Sequence, residues 1–242
     1  MIKVGVISDI HGNMEALSAV LNDIDKSGIK RLLILGDLAI MGAEPNNTVE
    51  FIKNLTDKYD VDIIQGNTDL FIVNEELPNF PDFAKNAIAY SKETLSHENI
   101  EFLKNLPAQK SIQIGQTSIL MVHGSPRKND ENILPGKNIE EIKPLIEKTT
   151  EALILCGHTH LPAGYQIENQ TVVNVGSVGR PFTQDNKACY VVLEIDEDKK
   201  DTFSVEHRFI DFDVKKSAEK LAAQQFEGAK YLAELLLKSS FN

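Results

Sequence analysis

Three short apolar runs dominate the first quarter of the chain: Val4–Ser8, Arg31–Leu35 and Val61–Gln65. Each stops abruptly in polar residues, at Asp9-Ile10-His11-Gly12-Asn13, at Gly36-Asp37 and at Gly66-Asn67-Thr68-Asp69. The intervals between them carry a different period. Leu17, Val20, Leu21 and Ile24 fall on one helical face, as do Val49, Ile52 and Leu55. Asn13 fits the N-cap of the first helix and Gly28 its stop, while Asn46 and Asn47 open the second. Strand, helix, strand, helix, strand in succession demands parallel pairing through right-handed crossovers. The class is therefore α/β. In parallel sheets ligands bind beyond the carboxyl ends of the strands, where Asp9, His11, Asp37 and Asn67 lie.

The remaining chain has a less repetitive pattern. Residues 70–108 read as helical and could form one wall of a cleft, with one helix marked by Phe83, Ala87 and Tyr90. A second is capped by Ser96 and closed before Pro107, and His97 in its first turn is a solvated or capping group. Lys110–Ile114 and Thr117–Val122 form a hairpin about Gly115-Gln116, and the second strand ends in His123-Gly124-Ser125-Pro126-Arg127. A polar loop follows, to Pro135-Gly136, then a helix face of Ile139, Ile142, Leu145 and Ile146. The buried run Ala152–Leu155 leads into Cys156-Gly157-His158-Thr159-His160. Two more hairpins are expected, 164–168 with 171–175 and 188–195 with 203–212. The end of the chain reads as a helix with Leu221, Leu232, Leu235 and Leu236 on its apolar side and Gly228 weakening its middle. That apolar face suits either the body of the protein or a second subunit.

A chain of 242 residues with 42% hydrophobic content can bury one large core, and residues 1–242 are expected to form one domain. A net charge of −11 argues against a protein that grips duplex nucleic acid by its backbone. Small phosphorylated substrates remain compatible with it, because bound cations reverse the local field. Cys156 and Cys189 sit in strand-like runs and are expected to be buried thiols. The apolar run after Met1 is too short for a signal peptide and no later segment approaches a membrane span, so a cytoplasmic location is expected.

Five strand ends thus carry candidate ligands: Asp9 and His11; Asp37; Asn67; His123; His158 and His160. Independent accidents do not fall repeatedly at one end of successive strands. Seven oxygen and nitrogen donors without a ligating cysteine suit Mn²⁺, Fe, Co, Ni or Zn²⁺ better than a structural zinc site. One bridging carboxylate lets seven side chains serve two divalent ions about 3.5–4 Å apart, with a bridging hydroxide as nucleophile.

The ordered string Asp9-x-His11, Gly36-Asp37, Gly66-Asn67, His123-Gly124, Gly157-His158-x-His160 resembles the calcineurin-like metallophosphoesterases, most nearly the small bacterial and archaeal phosphodiesterase branch. The resemblance runs from Ile2 to about Pro181. It implies a four-layer αββα sandwich with Asp9, His11 and His160 on one metal, Asn67, His123 and His158 on the other, and Asp37 bridging. It also implies a metal-dependent phosphoric ester hydrolase, manganese being the leading ion. The substrate would be a small phosphodiester or phosphoanhydride, nucleotides among the candidates, with Asp37, His123 and Asn67 acting through metal and phosphate positioning. A phosphomonoesterase or protein phosphatase is the alternative, and a non-catalytic protein-binding scaffold of the same fold the rival from another class.

One position departs from the family pattern. Many members read Gly-Asn-His-Asp, with the histidine proposed to protonate the leaving group, whereas this chain has Thr68. A threonine hydroxyl is no general acid near pH 7, so good leaving groups such as aryl oxides are expected to be preferred. Asp69 is expected to hydrogen-bond around the ligands, and Arg180 and Arg127 are candidates to clamp a phosphate.

Overall fold

The computed structural model describes residues 1–74 and 79–239. The first unit is strand β1 (Ile2–Ile7), helix α1 (Met14–Lys26) and strand β2 (Arg31–Ile34), followed by α2 (Pro45–Lys53) and β3 (Asp60–Ile63). Three helices come next: α3 (Asn67–Val73), α4 (Asp82–Thr94) and α5 (His97–Lys104). Strands β4 (Gln109–Ile114) and β5 (Thr117–Val122), helix α6 (Ile139–Ile146) and strand β6 (Leu153–Cys156) build the second half. Strands β7 (Ala163–Ile167), β8 (Gln170–Asn174), β9 (Ala188–Ile195) and β10 (Phe203–Ile210) follow, then helices α7 (Val214–Ala222) and α8 (Ala229–Lys238). Part of the stretch expected to be helical, residues 75–78, lies outside the described residues.

Two five-stranded sheets result, ordered β10-β9-β1-β2-β3 and β4-β5-β6-β8-β7. In the first, β1, β2 and β3 pair in parallel and β9 pairs antiparallel to β1. In the second, β5, β6 and β8 are parallel and β4 and β7 run antiparallel at the edges. Side chains alternate between faces along a strand. Along β2 with the residue that follows it, and along β9, one alternate set, Leu33, Leu35, Val191, Leu193 and Ile195, meets Ile119, Met121, Leu153 and Leu155 of the second sheet. The other set, Leu32, Ile34, Tyr190 and Val192, faces the helices and packs with Leu17, Ile24, Leu221 and Leu232. On the far side of the second sheet, Leu120, Ile154 and Cys156 pack with Ile142 and Ile146 of α6. The architecture is the four-layer αββα sandwich. Two sheets buried on both faces explain the near-continuous apolar runs at β1, β2 and β6.

Local signals account for the element boundaries. Asn13 caps α1 through its Oδ1, which accepts from the Ala16 amide at 3.2 Å. Its Nδ2 also donates to the Gly179 carbonyl at 2.8 Å, tying the cap to the loop after β8. Ser96 accepts from the Asn99 amide at 3.2 Å, and His97 starts α5 exposed to solvent. Both cysteines are buried and free. No helix of the described residues is long and apolar enough to cross a membrane.

The C-terminal helix expected from the sequence is two helices. Gly228 is the N-cap of α8 at φ 99°, a left-handed conformation, and the chain turns there so that α8 lies along α7 and against α4. Leu232, Leu235 and Leu236 are thereby buried in the core. A glycine inside a continuous helix would gain roughly 0.5–1 kcal/mol on replacement by alanine. The observed backbone reverses that sign. A Cβ at residue 228 would lie 2.7 Å from the Phe83 Cβ. Gly228→Ala is expected to destabilise the protein by about 1 kcal/mol or more, read as a lowered denaturation midpoint.

Candidate metal centre

The carboxyl ends of β1, β2 and β3 meet those of β5 and β6 at one edge of the sandwich, and the polar residues that stop the five strands converge there. Their backbones are unusual. Asp9 (φ 55°), His11 (49°), Asp37 (56°), His158 (68°) and His160 (60°) are all left-handed. Each such residue costs on the order of 1 kcal/mol, a strain that collects at functional sites. Backbone hydrogen bonds hold the turns: the Asp9 amide donates to Gly36 O (3.0 Å), His11 to Asp37 O (2.9 Å) and Gly157 to His123 O (2.8 Å).

Two glycines make the approach possible. A Cβ on Gly66 would stand 2.1 Å from the Asp37 Oδ1, and one on Gly157 would stand 2.1 Å from the Ser8 Oγ and 2.5 Å from the Asp9 Oδ2. These two contacts are the reason for glycine before Asn67 and before His158.

The side chains form one buried polar cluster. The His160 Nε2 lies 3.3 Å from the Asp9 Oδ1 and 3.1 Å from the His11 Nε2. The His11 Nε2 lies 3.7 Å from both the Asp9 Oδ1 and the Asp37 Oδ2. The His123 Nε2 is 3.4 Å from the Asp37 Oδ2, 3.9 Å from the Asp9 Oδ1 and 3.0 Å from the Asn67 Oδ1. The His158 Nδ1 approaches the same Asn67 oxygen at 2.8 Å, and the His158 amide donates to the Asp9 Oδ2 at 3.0 Å. All seven residues expected to hold metal are thus brought together. Both carboxylates lie between the two sets of histidines.

Outer groups fix these rings and carboxylates. The Nδ1 atoms of His11, His123 and His160 face the carbonyls of Ile40 (2.8 Å), Leu35 (2.6 Å) and Arg180 (2.7 Å). Each Nδ1–H donates to its carbonyl, so each Nε2 is aimed into the cluster. Phe182 stacks on His160 with ring centroids 4.6 Å apart. Asp69, fully buried, accepts from the amides of Asp37, Leu38 and Gly66, each at 2.9 Å, and so braces the loop that presents Asp37. Burial first, and then the Asp37 charge, raise its carboxyl to about 6.

The donor set fits a cation. The Nε2 lone pairs of His11 and His160 point at each other, and among the described residues the buried Asp9 Oδ1 has no hydrogen-bond partner. Among the described residues, Asp9, His11 and His160 form one group able to hold a metal, and Asp9, Asp37 and His123 another, each with its donor atoms within 4.8 Å of one another. The electrostatics agree. Burial alone pushes the Asp37 carboxyl up, yet His123 and His11 overcome this and hold it at about 2. Burial alone pushes His123 down, yet Asp37 and Asp9 raise it to about 10. Burial lowers His158 and His160. Without a metal, a proton on His123 supplies the positive charge that the two carboxylates require.

The two arginines named from the sequence do not line the larger cleft beside Asn67 and His158. Arg127 bonds Glu131 at 3.0 Å and the Pro144 carbonyl at 3.3 Å. Arg180 is buried, bonds the Met41 carbonyl at 3.2 Å, and lines a crevice of about 10 Å³ with His11, Gly12 and Gly42, too small for a phosphate. A larger cleft, of about 650 Å³, opens beside Asn67 and His158. Lys128, Asn129 and Asp130 line it, and the sequence marked them only as polar loop. Its other wall is α3 and α4, within the stretch expected to border a cleft.

Two outcomes follow from this geometry. Loading the metal-free protein with divalent metal near pH 7 is expected to release about one proton, from His123, seen as buffer-dependent heats in titration calorimetry. Gly157→Ala is expected to weaken metal binding by at least ~10-fold, the range for losing support around a ligand, measured by competition with a chelating dye.

The comparisons agree with this geometry. The profile of the calcineurin-like phosphoesterase superfamily domain matches residues 2–198. An uncharacterized protein of Methanocaldococcus jannaschii, MJ0912, is 33% identical over 236 residues, covering 90% of this chain and 91% of that protein. The crystal structure of hypothetical protein PH1004 from Pyrococcus horikoshii superposes with a TM-score of 0.88 at 26% identity, covering 98% of each chain. A metallophosphoesterase from Sphaerobacter thermophilus shares the fold with a TM-score of 0.76 at 24% identity, over 98% of this chain and 99% of that one. With its ligand motifs folded into one buried cluster, the chain belongs to the calcineurin-like phosphoesterase superfamily.

Proposed function

We propose that the protein is a binuclear metal-dependent phosphoesterase that hydrolyses phosphodiester or phosphoanhydride bonds of a small substrate, with Mn²⁺ the leading ion. The observation that carries this reading is the pair of buried carboxylates set between two groups of histidines, with Nε2 atoms aimed inward. Asp9, His11 and His160 would hold one ion, Asn67, His123 and His158 the other, and Asp37 would bridge them. When bound, two such ions lower the pKa of water and neutralise charge on a phosphoryl group.

The chain's own residues supply the rest. Ile40, Leu35 and Arg180 carbonyls orient three imidazoles, and Asp69 holds the Asp37 loop. Thr68 lines the cleft, and its amide donates to the Asp37 Oδ1 at 2.8 Å. Its hydroxyl does not protonate a leaving group near pH 7. Lys128 is the cationic side chain among the residues lining the cleft.

The test is hydrolysis of a bis-aryl phosphate diester beside the matching monoester, by metal-stripped protein resupplied with Mn²⁺. Metal-dependent turnover favouring the diester is expected. Asp37→Asn should lower that turnover by more than the ~10–100-fold typical of losing an outer-shell partner, with an unchanged fold by circular dichroism. Full activity in this variant would overturn the bridging role, and a preference for the monoester would overturn the diesterase reading.

A further inference from the structure

Among the described residues, exposure at the candidate metal centre is one-sided. Asp9, His11, Asp37, His123 and His160 are each no more than 3% exposed. Asn67 and His158 are the two partly exposed members. Both line the 650 Å³ cleft, together with Thr68. A phosphoryl group at the metals therefore has its organic substituent in this cleft. Its volume is that of a small-molecule site.

The wall facing that substituent is apolar and aromatic. Met41, Leu70, Phe71, Phe80, Phe83 and Ile88 form it. Phe71 and Phe80 meet edge to face with centroids 5.0 Å apart, and Phe83 is held the same way by Tyr231 at 5.1 Å. Asn74 ends α3 on this side, and the charged groups sit on the loop 128–130, where Lys128 and Asp130 pair at 2.8 Å and are largely exposed. A sugar or peptide would leave its hydrogen-bonding groups unpaired against the phenylalanines, whereas a flat ring would gain edge and face contacts.

Thr68 points the same way independently. It borders the cleft at the position nearest Asn67 and offers no acid near pH 7. An aryloxide needs no such acid. Water contributes the oxygen of the new P–O bond and loses a proton to solvent, the P–O bond to the aryl oxygen breaks, and the aryloxide leaves with that electron pair and is protonated by solvent.

We propose that the cleft between α3, α4 and the loop 128–130 is an aryl subsite, and that the preferred substrates are phosphoesters whose leaving oxygen is attached directly to an aromatic ring. The proposal rests on the phosphoesterase reading and adds the substrate class to it.

The test uses hydrolysis-resistant phosphonates on the Mn²⁺-loaded full chain, with dissociation constants from titration calorimetry. Phenyl- and naphthylphosphonate are expected to bind roughly tenfold or more tightly than methylphosphonate, with cyclohexylphosphonate behind phenyl. An adenosine 5′-phosphonate, which places its ring beyond a sugar, is expected to bind no better than methylphosphonate. Phe80→Ala and Phe71→Ala should collapse the phenyl-to-methyl ratio toward one, and Phe80→Leu should restore part of it. Thermal melts confirm that each variant is folded. Metal-dependent methylphosphonate binding with no aryl advantage would overturn the subsite while leaving the phosphoesterase reading standing. Tighter binding of the adenosine compound would assign the cleft to a nucleoside and overturn the aryl class. No metal-dependent binding of any phosphonate would remove both.

Discussion

Asp9 and Asp37 are two carboxylates buried at the same edge of the protein, within 4 Å of shared imidazoles. Removing two like charges from water so close together is expensive, and the cost is met only when positive charge lies between them. Much of the surrounding structure follows from that requirement. Three histidines present Nε2 because backbone carbonyls occupy their Nδ1 atoms. The Asp9 Oδ2 accepts from the His158 amide and the Asp37 Oδ1 from the Thr68 amide, which leaves one oxygen of each carboxylate facing the histidines. The raised His123 and lowered Asp37 are the same fact seen from its two partners.

Holding this charge cluster needs a rigid frame. The two sheets supply it, with an apolar layer between them and helices outside. Their strands stop at one edge, where the chain takes five left-handed turns at ligand residues. Such strain persists where the surroundings over-determine the backbone, as the cross-strand bonds from Asp9, His11 and Gly157 do here. Asp69 belongs to the same frame. It contacts no ligand side chain in the hydrogen-bond network, yet three amides of the two turns converge on it.

The burial is uneven, and that asymmetry gives the site its direction. Five of the candidate ligands are sealed, and two face a cleft whose far wall is built from helices inserted between β3 and β4. The core of the fold and the wall of the cleft thus come from different parts of the chain. Helices α3 and α4 lie outside the sheets and border the cleft onto which Asn67 and His158 open.

The clustering of the seven candidate residues was legible from the sequence because it is tied to periodicity. Apolar runs of strand length that end in Asp-x-His, Gly-Asp, Gly-Asn, His-Gly and Gly-His-x-His place chemistry at strand ends, and parallel strands put those ends on one side. The α/β class followed from the same runs, and the layered sandwich from the family resemblance that the motifs carry. Three things required the tertiary structure. Gly228 reads as a flaw within a helix, and only its contact with Phe83 and its positive φ show a turn between two helices. Arg127 and Arg180 stand next to site motifs in sequence, but the Arg127 guanidinium pairs with Glu131 and the buried Arg180 guanidinium bonds the Met41 carbonyl, and neither lines the cleft beside Asn67 and His158. Phe71, Phe80 and Phe83 look like any core aromatics, and no local pattern tells which side chains face a neighbouring ligand. Sequence by itself determined which polar residues end the strands and so meet at one edge, because strand period and motif spacing are local. Tertiary structure alone decided how that chemistry is reached, because the walls of a cleft are contacts between segments distant in the chain.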